Sequence, residues 1–489
     1  MKPMTAEMIA RVTGGRVIRG NPDSLVTDVC TDSRQAGPGR LFVPVIGAKV
    51  DGHSFIPMAE QLGAAAVFTS RPEKITEEDD AGKTARIAVT NTVEALQALG
   101  GWYRKQYPAL PLIGITGSAG KTTTKEMIAA ALGVRYHVLK TEGNMNSQVG
   151  LPQMMLRIED SHEAAVIEMG MSEEGEMARL AAVARPQTAV VTNIGVAHIG
   201  QLGTRENIRK EKLDLIREFP DGGVLILNGD DPLLSEIAAV HNGMTEPERV
   251  CLSERAGERL AKAVVRTYGT GEDADYRASD IRLTPQGTRF TFTSRGGDGE
   301  EIELQAFGIH NVYNALAALA AADRFGIAAA DAKKALKEWR PPRMRGTIEV
   351  TGGITLIDDT YNANPDSMKG AIDLLADLTG VTRRIAVLAD MLELGELSGS
   401  CHREIGEYIV SRKEGAPDLV VLIGRESRHI AEAIREKGGR QQIRHFMENA
   451  EAAAYLKQAV RPGDAVVIKG SRSMKLDEVA DALRSYGQE

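Results

Sequence analysis

The sequence predicts an α/β chain built from three domains, and three observations point there. Short apolar runs ending in Gly, Asn or Asp alternate with helix-patterned stretches along most of the chain. Such runs mark strands buried on both faces of a parallel sheet. The length, 489 residues, exceeds what one core organises, since domains hold roughly 100–200 residues each. Proline breaks interrupt the helical pattern twice, in YPALP at 107–111 and in WRPPRMRG at 339–346.

In chain order, the first domain (1–107) ends where YPALP stops the helix-patterned EALQALGGWYRKQY. The second (108–340) carries LIGIT at 112–116, the helical KEMIAAALG, then AAVIEMG, TAVVTNIG and VLILNGDDP. The third (341–489) repeats the style in ITLIDDT, RIAVLADM, LVVLIG and AVVIKGS. Ligands of such sheets sit beyond the carboxyl ends of the strands. Polar residues gather at those ends: Thr116, Glu168, Asn193, Asn228, Asp358, Asp359, Asp390 and Lys469.

The stretch GITGSAGKTTT (114–124) joins a strand to a helix through small residues. A phosphate loop of the pattern G-x-x-x-x-G-K-[ST] calls for a glycine five residues before Gly120, where Ile115 stands. The chemistry is intact nonetheless. Gly117, Ser118, Ala119 and Gly120 leave backbone N–H groups free to wrap a phosphate, and the helix that follows adds its positive end. Lys121 can bridge the terminal phosphates and the Thr122 hydroxyl can ligate Mg²⁺. Glu168 sits where a carboxylate can reach that ion. His198, in NIGVAHIG, follows a strand too; alone it is equally a structural histidine.

Composition excludes other classes. The net charge is −8 and no basic block is visible, which argues against nucleic-acid binding. Cys30, Cys251 and Cys401 are scattered without a C-x-x-C pair, as in a reduced, cytosolic protein. MKPMTAEMIARVTGG lacks the apolar core of a signal peptide, and no run of 18 apolar residues occurs. A cytoplasmic monomer without membrane insertion is expected.

Five motifs occur in a characteristic order: GITGSAGKTTTKEM, TEGNMNSQVGLP, VIEMGM, TNIGVAHI and GIHNVYNALAALA. Together they resemble the ATP-dependent Mur ligases of peptidoglycan synthesis, whose loop reads G-[ST]-x-G-K-[ST]. The resemblance spans nearly the whole chain and accounts for the missing glycine. The segments TDSRQAGPGRLFVPVIGAKVDGHSFIPMAEQLGAAAVF, DDTYNANPDSM, DMLELGELS and KGSRSMKLDEV are similar to the branch that adds D-alanyl-D-alanine. The branch that adds the third peptide residue typically carries D-Y-A-H-x-P and D-[ND]-P-R, and neither is present.

The resemblance implies a UDP-substrate-binding N-terminal domain, a central P-loop-type ATPase domain with a mostly parallel sheet, and a Rossmann-like C-terminal domain. It implies that D-Ala-D-Ala is joined to UDP-MurNAc-tripeptide through an acyl phosphate, with ATP and two Mg²⁺ ions. One ion would be held by Thr122 and Glu168, the other by Glu168, His198 and a carbamylated lysine. The matching lysine in RENIRKEKLDLI is Lys212, with Lys210 as the alternative; taken alone, each is a surface lysine. ATP contacts implied are the loop through Thr123, then Asn311, Arg345, Asp359 and Tyr361. Ser33, Arg34, Asp51, Gly52, His53, Asn144 and Asn146 are implied for the UDP substrate. Asn362, Asn364, Lys469, Ser471 and Arg472 are implied for the dipeptide, although capping and turn chemistry explains the asparagines equally well. Competing readings are a third-residue-adding ligase, a P-loop phosphotransferase and a nucleotide-binding switch.

Overall fold

The apolar runs become strands. The computed structural model describes residues 1–47, 49–71, 84–246, 249–284 and 286–486. LIGIT forms Leu112–Thr116, fully buried, inside a nine-stranded sheet between Thr188–Val191 and Ala164–Glu168. Both pairings are parallel, as are those leading outward through Val224–Asn228 and Val264–Gly269. All five of these strands therefore point their carboxyl ends to one edge.

Two further large sheets accompany this one, besides a two-stranded pairing of Met4–Thr5 with Leu25–Val26. ITLIDD, RRIAVLA, LVVLI and DAVVIK form Ile354–Asp359, Arg383–Ala389, Leu419–Ile423 and Asp464–Lys469 of a six-stranded sheet. Only its edge strand Thr347–Thr351 runs antiparallel. Near the N-terminus a five-stranded sheet holds Arg16–Arg19, Ala85–Ala88, Ala66–Thr69, Arg40–Phe42 and Asp28–Cys30.

The central sheet is longer than the sequence pattern announces. Tyr276–Thr284, Gly287–Ser294 and Glu300–Leu304 extend it, the last two pairings antiparallel. These strands alternate buried and solvated positions with charged residues outward. They lack the continuous apolar run of a strand covered on both faces.

Helix Thr92–Lys105 ties the first sheet to the second. Its Arg104, 2 % exposed, donates from Nε to the carbonyl of Ala184 at 3.0 Å and from a guanidinium N–H to that of Leu110 at 2.9 Å. One buried apolar cluster includes Phe68, Leu96, Ile167, Leu225, Ile357 and Leu422, so all three sheets share it.

The terminal helix Asp477–Arg484 is locked to the third sheet by charge. Arg484 reaches Asp358 at 2.6 Å and Glu349 at 2.6 Å, and Asp358 is fully buried at a strand end. Removing one partner of a buried pair strands the other charge. Arg484→Met is expected to cost about 3–5 kcal/mol of stability, measured as a lowered urea midpoint at an unchanged m-value.

Candidate functional site

Strand Leu112–Thr116 ends in a four-residue loop and restarts as helix Lys121–Leu132, with Gly120 as N-cap at φ 80°. Gly117 is required by close approach: a Cβ there would overlap the Thr192 hydroxyl. The next strand's end fixes the loop. Asn193 Oδ1 accepts from Ala119 N at 2.8 Å, its carbonyl accepts from Ser118 N at 3.1 Å, and Thr192 Oγ1 donates to Ala119 O at 2.6 Å. The Ser118 and Ala119 amides, expected to be free for a phosphate, are thus engaged by Asn193, which lies at the adjoining strand end. Lys121 Nζ donates to Gly117 O at 2.6 Å. Burial pushes the Lys121 amine below its ordinary value, opposed by Glu168.

Glu168 closes the neighbouring strand, 3 % exposed. Its two oxygens accept from Thr122 Oγ1 at 2.8 Å and from Asn146 Nδ2 at 2.7 Å. This leaves a hydroxyl and a carboxylate, both hard oxygen donors, side by side at the loop. His198, at φ 64°, places Nδ1 2.9 Å from Glu393 Oε2 across the boundary between the second and third sheets. The contact with His198 holds the Glu393 carboxyl below its usual range.

The two lysines in RENIRKEKLDLI separate sharply. Lys212 is 1 % exposed, and its amine is pushed far down, first by burial and then by the charge of Lys121. Lys210 is half-buried, 4.0 Å from Glu174.

The third sheet adds a second polar wall. Asp359 and Lys469 are register neighbours on adjacent strands, and Lys469 Nζ donates to Asp359 Oδ2 at 2.6 Å and to Asn362 O at 2.9 Å. The Arg345 guanidinium stacks 3.8 Å over the Tyr361 ring, an arrangement that keeps a cation pre-oriented. Asn364 is a helix cap: its side chain accepts from Ser367 N at 2.8 Å, and its Nδ2 touches Ser118 O at 3.4 Å. The capping reading holds at that position, while the same side chain also bridges two sheets.

These walls enclose a cavity of about 770 Å³, within the size range of small-molecule sites. Ser118, Ala119, Gly120, Lys121, Thr122, Thr123, Asn146, Glu168, His198, Asn311, Arg345, Asp359, Tyr361, Asn362, Asn364 and Lys469 all line it. Lys212 lies beneath the Lys121 side of the cavity without lining it. Gly117 turns the loop from behind, and Asn144 is exposed outside the cavity. Ser471 and Arg472 are not in the lining either. The Ser471 hydroxyl accepts from Leu392 N at 2.9 Å, and Arg472 pairs with Asp477 at the surface.

The N-terminal residues form a group apart. Asp51 Oδ1 accepts from His53 N at 3.0 Å and lies 2.8 Å from His53 Nδ1, while Ser70 N donates to His53 Nε2 at 3.1 Å. Gly52 is pressed against the Val45 backbone, Arg34 pairs with Asp32, and Ser33 Oγ reaches Met58 Sδ. None of Ser33, Arg34, Asp51, Gly52 or His53 lines the cavity, which is built by the second and third sheets. Helix Thr92–Lys105 touches its rim, where Gln97 donates to Gln148 Oε1 at 3.0 Å.

Asn193, His310, Asp366 and Glu393 also line the cavity without having been singled out as site residues. Asn193 had a legible signal as a polar strand end. Glu393 had none, because its place depends on a left-handed loop residue, φ 67°.

Comparison with known proteins places the chain in a family. The Mur ligase middle domain matches residues 115–322, the Mur ligase glutamate ligase domain 343–472, and the Mur ligase family catalytic domain 25–104. The UDP-N-acetylmuramoyl-tripeptide–D-alanyl-D-alanine ligase of Bacillus subtilis (strain 168) is 38% identical over 483 residues, covering 98% of both chains. The chain belongs to the Mur ligase family. Among solved members of the family, MurF from Acinetobacter baumannii superposes with a TM-score of 0.86 at 28% identity, covering 99% of each chain. MurF ligase from Thermotoga maritima, solved in complex with ADP, superposes with a TM-score of 0.79 at 27% identity, covering 95% of this chain and 98% of that one. The α/β architecture and the ATP-using ligase class expected from the sequence are those of the family. No helix among the described residues is long and apolar enough to cross a membrane.

The Asn193 clamp carries a prediction for this family loop. Asn193→Ala leaves the Ala119 N–H without its fixed acceptor, a loss of about 1–2 kcal/mol. ADP affinity measured by calorimetry is expected to fall roughly tenfold, with the melting temperature nearly unchanged.

Proposed function

We propose that this chain is an ADP-forming ligase that joins the amino group of D-alanyl-D-alanine to the terminal carboxylate of UDP-N-acetylmuramoyl-tripeptide, giving the pentapeptide precursor of peptidoglycan. One observation carries the reading. A phosphate loop with Lys121, Thr122 and Glu168 faces Arg345, Asp359 and Lys469 across one cavity, in a chain aligned end to end with a ligase named for that reaction.

A carboxylate is a poor electrophile, so its oxygen first attacks the γ-phosphorus, giving an acyl phosphate and ADP. Charge on the transferring group must be neutralised where it develops. Lys121 and the N-terminus of helix Lys121–Leu132 are placed for that. The dipeptide amine then adds to the acyl carbon and phosphate leaves. Lys469 and Arg345 supply positive charge on the opposite wall, and Asn311 faces the cavity at the helix Ile309–Arg324 for the nucleotide base.

The donor set fits magnesium. No cluster of three or more His, Cys, Asp or Glu exists among the described residues, and Mg²⁺ typically takes one or two carboxylates plus phosphate oxygens. Thr122 and Glu168 would hold one ion, and Glu168, His198 and a carbamate on Lys212 a second. When bound, the ions would polarise the phosphoryl oxygens and bridge them to the protein. Only a neutral amine adds to carbon dioxide, and burial pushes Lys212 toward that form; Lys210 is half-buried, 4.0 Å from Glu174.

Three working units follow, residues 1–107, 108–340 and 341–489, because each sheet falls within one range. The proline segment after Glu338 would be the hinge between the second and third, and a site built within a single chain supports a monomer. The reduced thiols and the nucleotide substrates support a cytoplasmic setting. The Asp51–His53 and Ser33–Arg34 groups would receive the UDP end of a substrate whose peptide end enters the cavity.

Phosphate release should require ATP, UDP-MurNAc-tripeptide and D-Ala-D-Ala together in an assay that omits each in turn. Release indifferent to both co-substrates sinks the ligase reading in favour of a plain phosphotransferase, and AMP in place of ADP sinks the acyl-phosphate route. Lys121→Ala and His198→Ala are expected to lose most turnover while staying folded. Lys212→Ala should lose turnover and regain part of it with added short-chain carboxylic acids, whereas Lys210→Ala should keep it; the reverse pattern would place the carbamate on Lys210.

A further inference from the structure

This inference deepens the ligase reading and rests on His198 serving as a cation ligand. His198 belongs to the central sheet and Glu393 to the loop after strand Arg383–Ala389 of the third, yet their side chains meet at 2.9 Å. His198 Nδ1 is shielded from solvent and has no aligned hydrogen-bond partner among the described residues. The Glu393 carboxylate is close enough to take its proton after a small rotation.

The loop that carries Glu393 is pinned from two sides, by His402 and by Ser471. Met391 N donates to Nε2 of the fully buried His402 at 2.9 Å, and His402 Nδ1 is 2.7 Å from Ser398 O. Leu392 N donates to Ser471 Oγ at 2.9 Å, and Ser471 N donates to Asp390 O at 3.1 Å. The next residue, Glu393, then takes a left-handed backbone, as His198 does opposite. Such conformations persist where the surroundings over-determine them, and they gather at functional sites.

Beside this pair the two units touch backbone to backbone. A Cβ on Gly200 would lie 2.9 Å from Gly395 N and 3.2 Å from Glu393 O, and one on Gly395 would lie 3.0 Å from Gly200 Cα. Gly395 also has φ 56°. The seam has no room for a side chain on either face.

We propose that Glu393 is a positioning residue, delivered across the Gly200–Gly395 seam, that accepts the Nδ1 proton of His198 and thereby fixes the tautomer whose Nε2 can ligate a cation. A carboxylate on the far nitrogen sets ring orientation and raises ligand basicity. Because the carboxylate comes from the third unit, the histidine is set only when that unit is docked. Cation affinity and docking are then linked, each favouring the other.

The test is Mn²⁺ titration by electron paramagnetic resonance, with protein in excess over a non-hydrolysable ATP analogue and saturating UDP-MurNAc-tripeptide. Glu393→Ala is expected to weaken Mn²⁺ binding roughly 10- to 100-fold, with Glu393→Gln in between. Glu396→Ala, an exposed carboxylate on the same turn, is expected to match wild type. Gly395→Ala, which keeps the carboxylate but crowds the seam, should also weaken Mn²⁺ binding. Equal Mn²⁺ affinity in wild type and Glu393→Ala overturns the proposal, as does an equal loss in Glu396→Ala. Full Mn²⁺ affinity in Gly395→Ala overturns the link to docking. Wild-type protein adding nothing to the Mn²⁺ binding of the nucleotide alone would instead remove the cation role of His198, a failure of the underlying reading that is distinguishable from the others.

Discussion

A lysine amine held at the mouth of a helix, next to a row of backbone N–H groups, is a concentration of positive charge with little water to relieve it. Everything around the loop 117–120 is arranged to keep that charge in place until an anion arrives. Gly117 lets the chain pass under Thr192, Asn193 ties down the loop's amides, and the Gly117 carbonyl holds the Lys121 ammonium. Glu168 offsets part of the charge while its own oxygens are held by Thr122 and Asn146. Pre-set dipoles of this kind cost nothing to reorganise when the phosphoryl group moves.

The second and third sheets divide the labour by their topology. Each is parallel around its functional strands, so each offers one edge lined with polar strand ends. Placing the two edges face to face produces a cavity with a phosphate side and a side bearing Arg345, Asp359 and Lys469. The buried pair of Asp358 with Arg484 sits directly behind Asp359, so the rigidity of that wall is set by the terminal helix.

The strand ends were legible because burial on both faces forces a continuous apolar run, and the run stops where solvent or ligand begins. Leu112–Thr116, Ala164–Glu168 and Asp464–Lys469 appear in the structure where the runs place them. The loop was legible by its small residues, and Lys212 by position in a motif, although its burial was not, since a helix of charged residues reads as a solvated face. The extension Tyr276–Leu304 was missed because its strands are wet on one side. Glu393 was missed because nothing local to DMLELGELS reveals a partner on another sheet. Ser471 shows a role the motif does not reveal: its hydroxyl accepts from the Leu392 amide of a neighbouring loop.

Three of the six described non-glycine residues with left-handed backbone, His198, Met344 and Glu393, border this cavity or the Arg345 turn. Each such residue costs of order 1–3 kcal/mol, and glycine or asparagine would relieve part of it. The easy routes to a hardier protein therefore run through the residues that the reaction needs most. A search for heat-resistant variants that scores folding alone would drift toward well-behaved, inactive chains, and one that scores turnover would leave these positions untouched and gather its gains far from the seam.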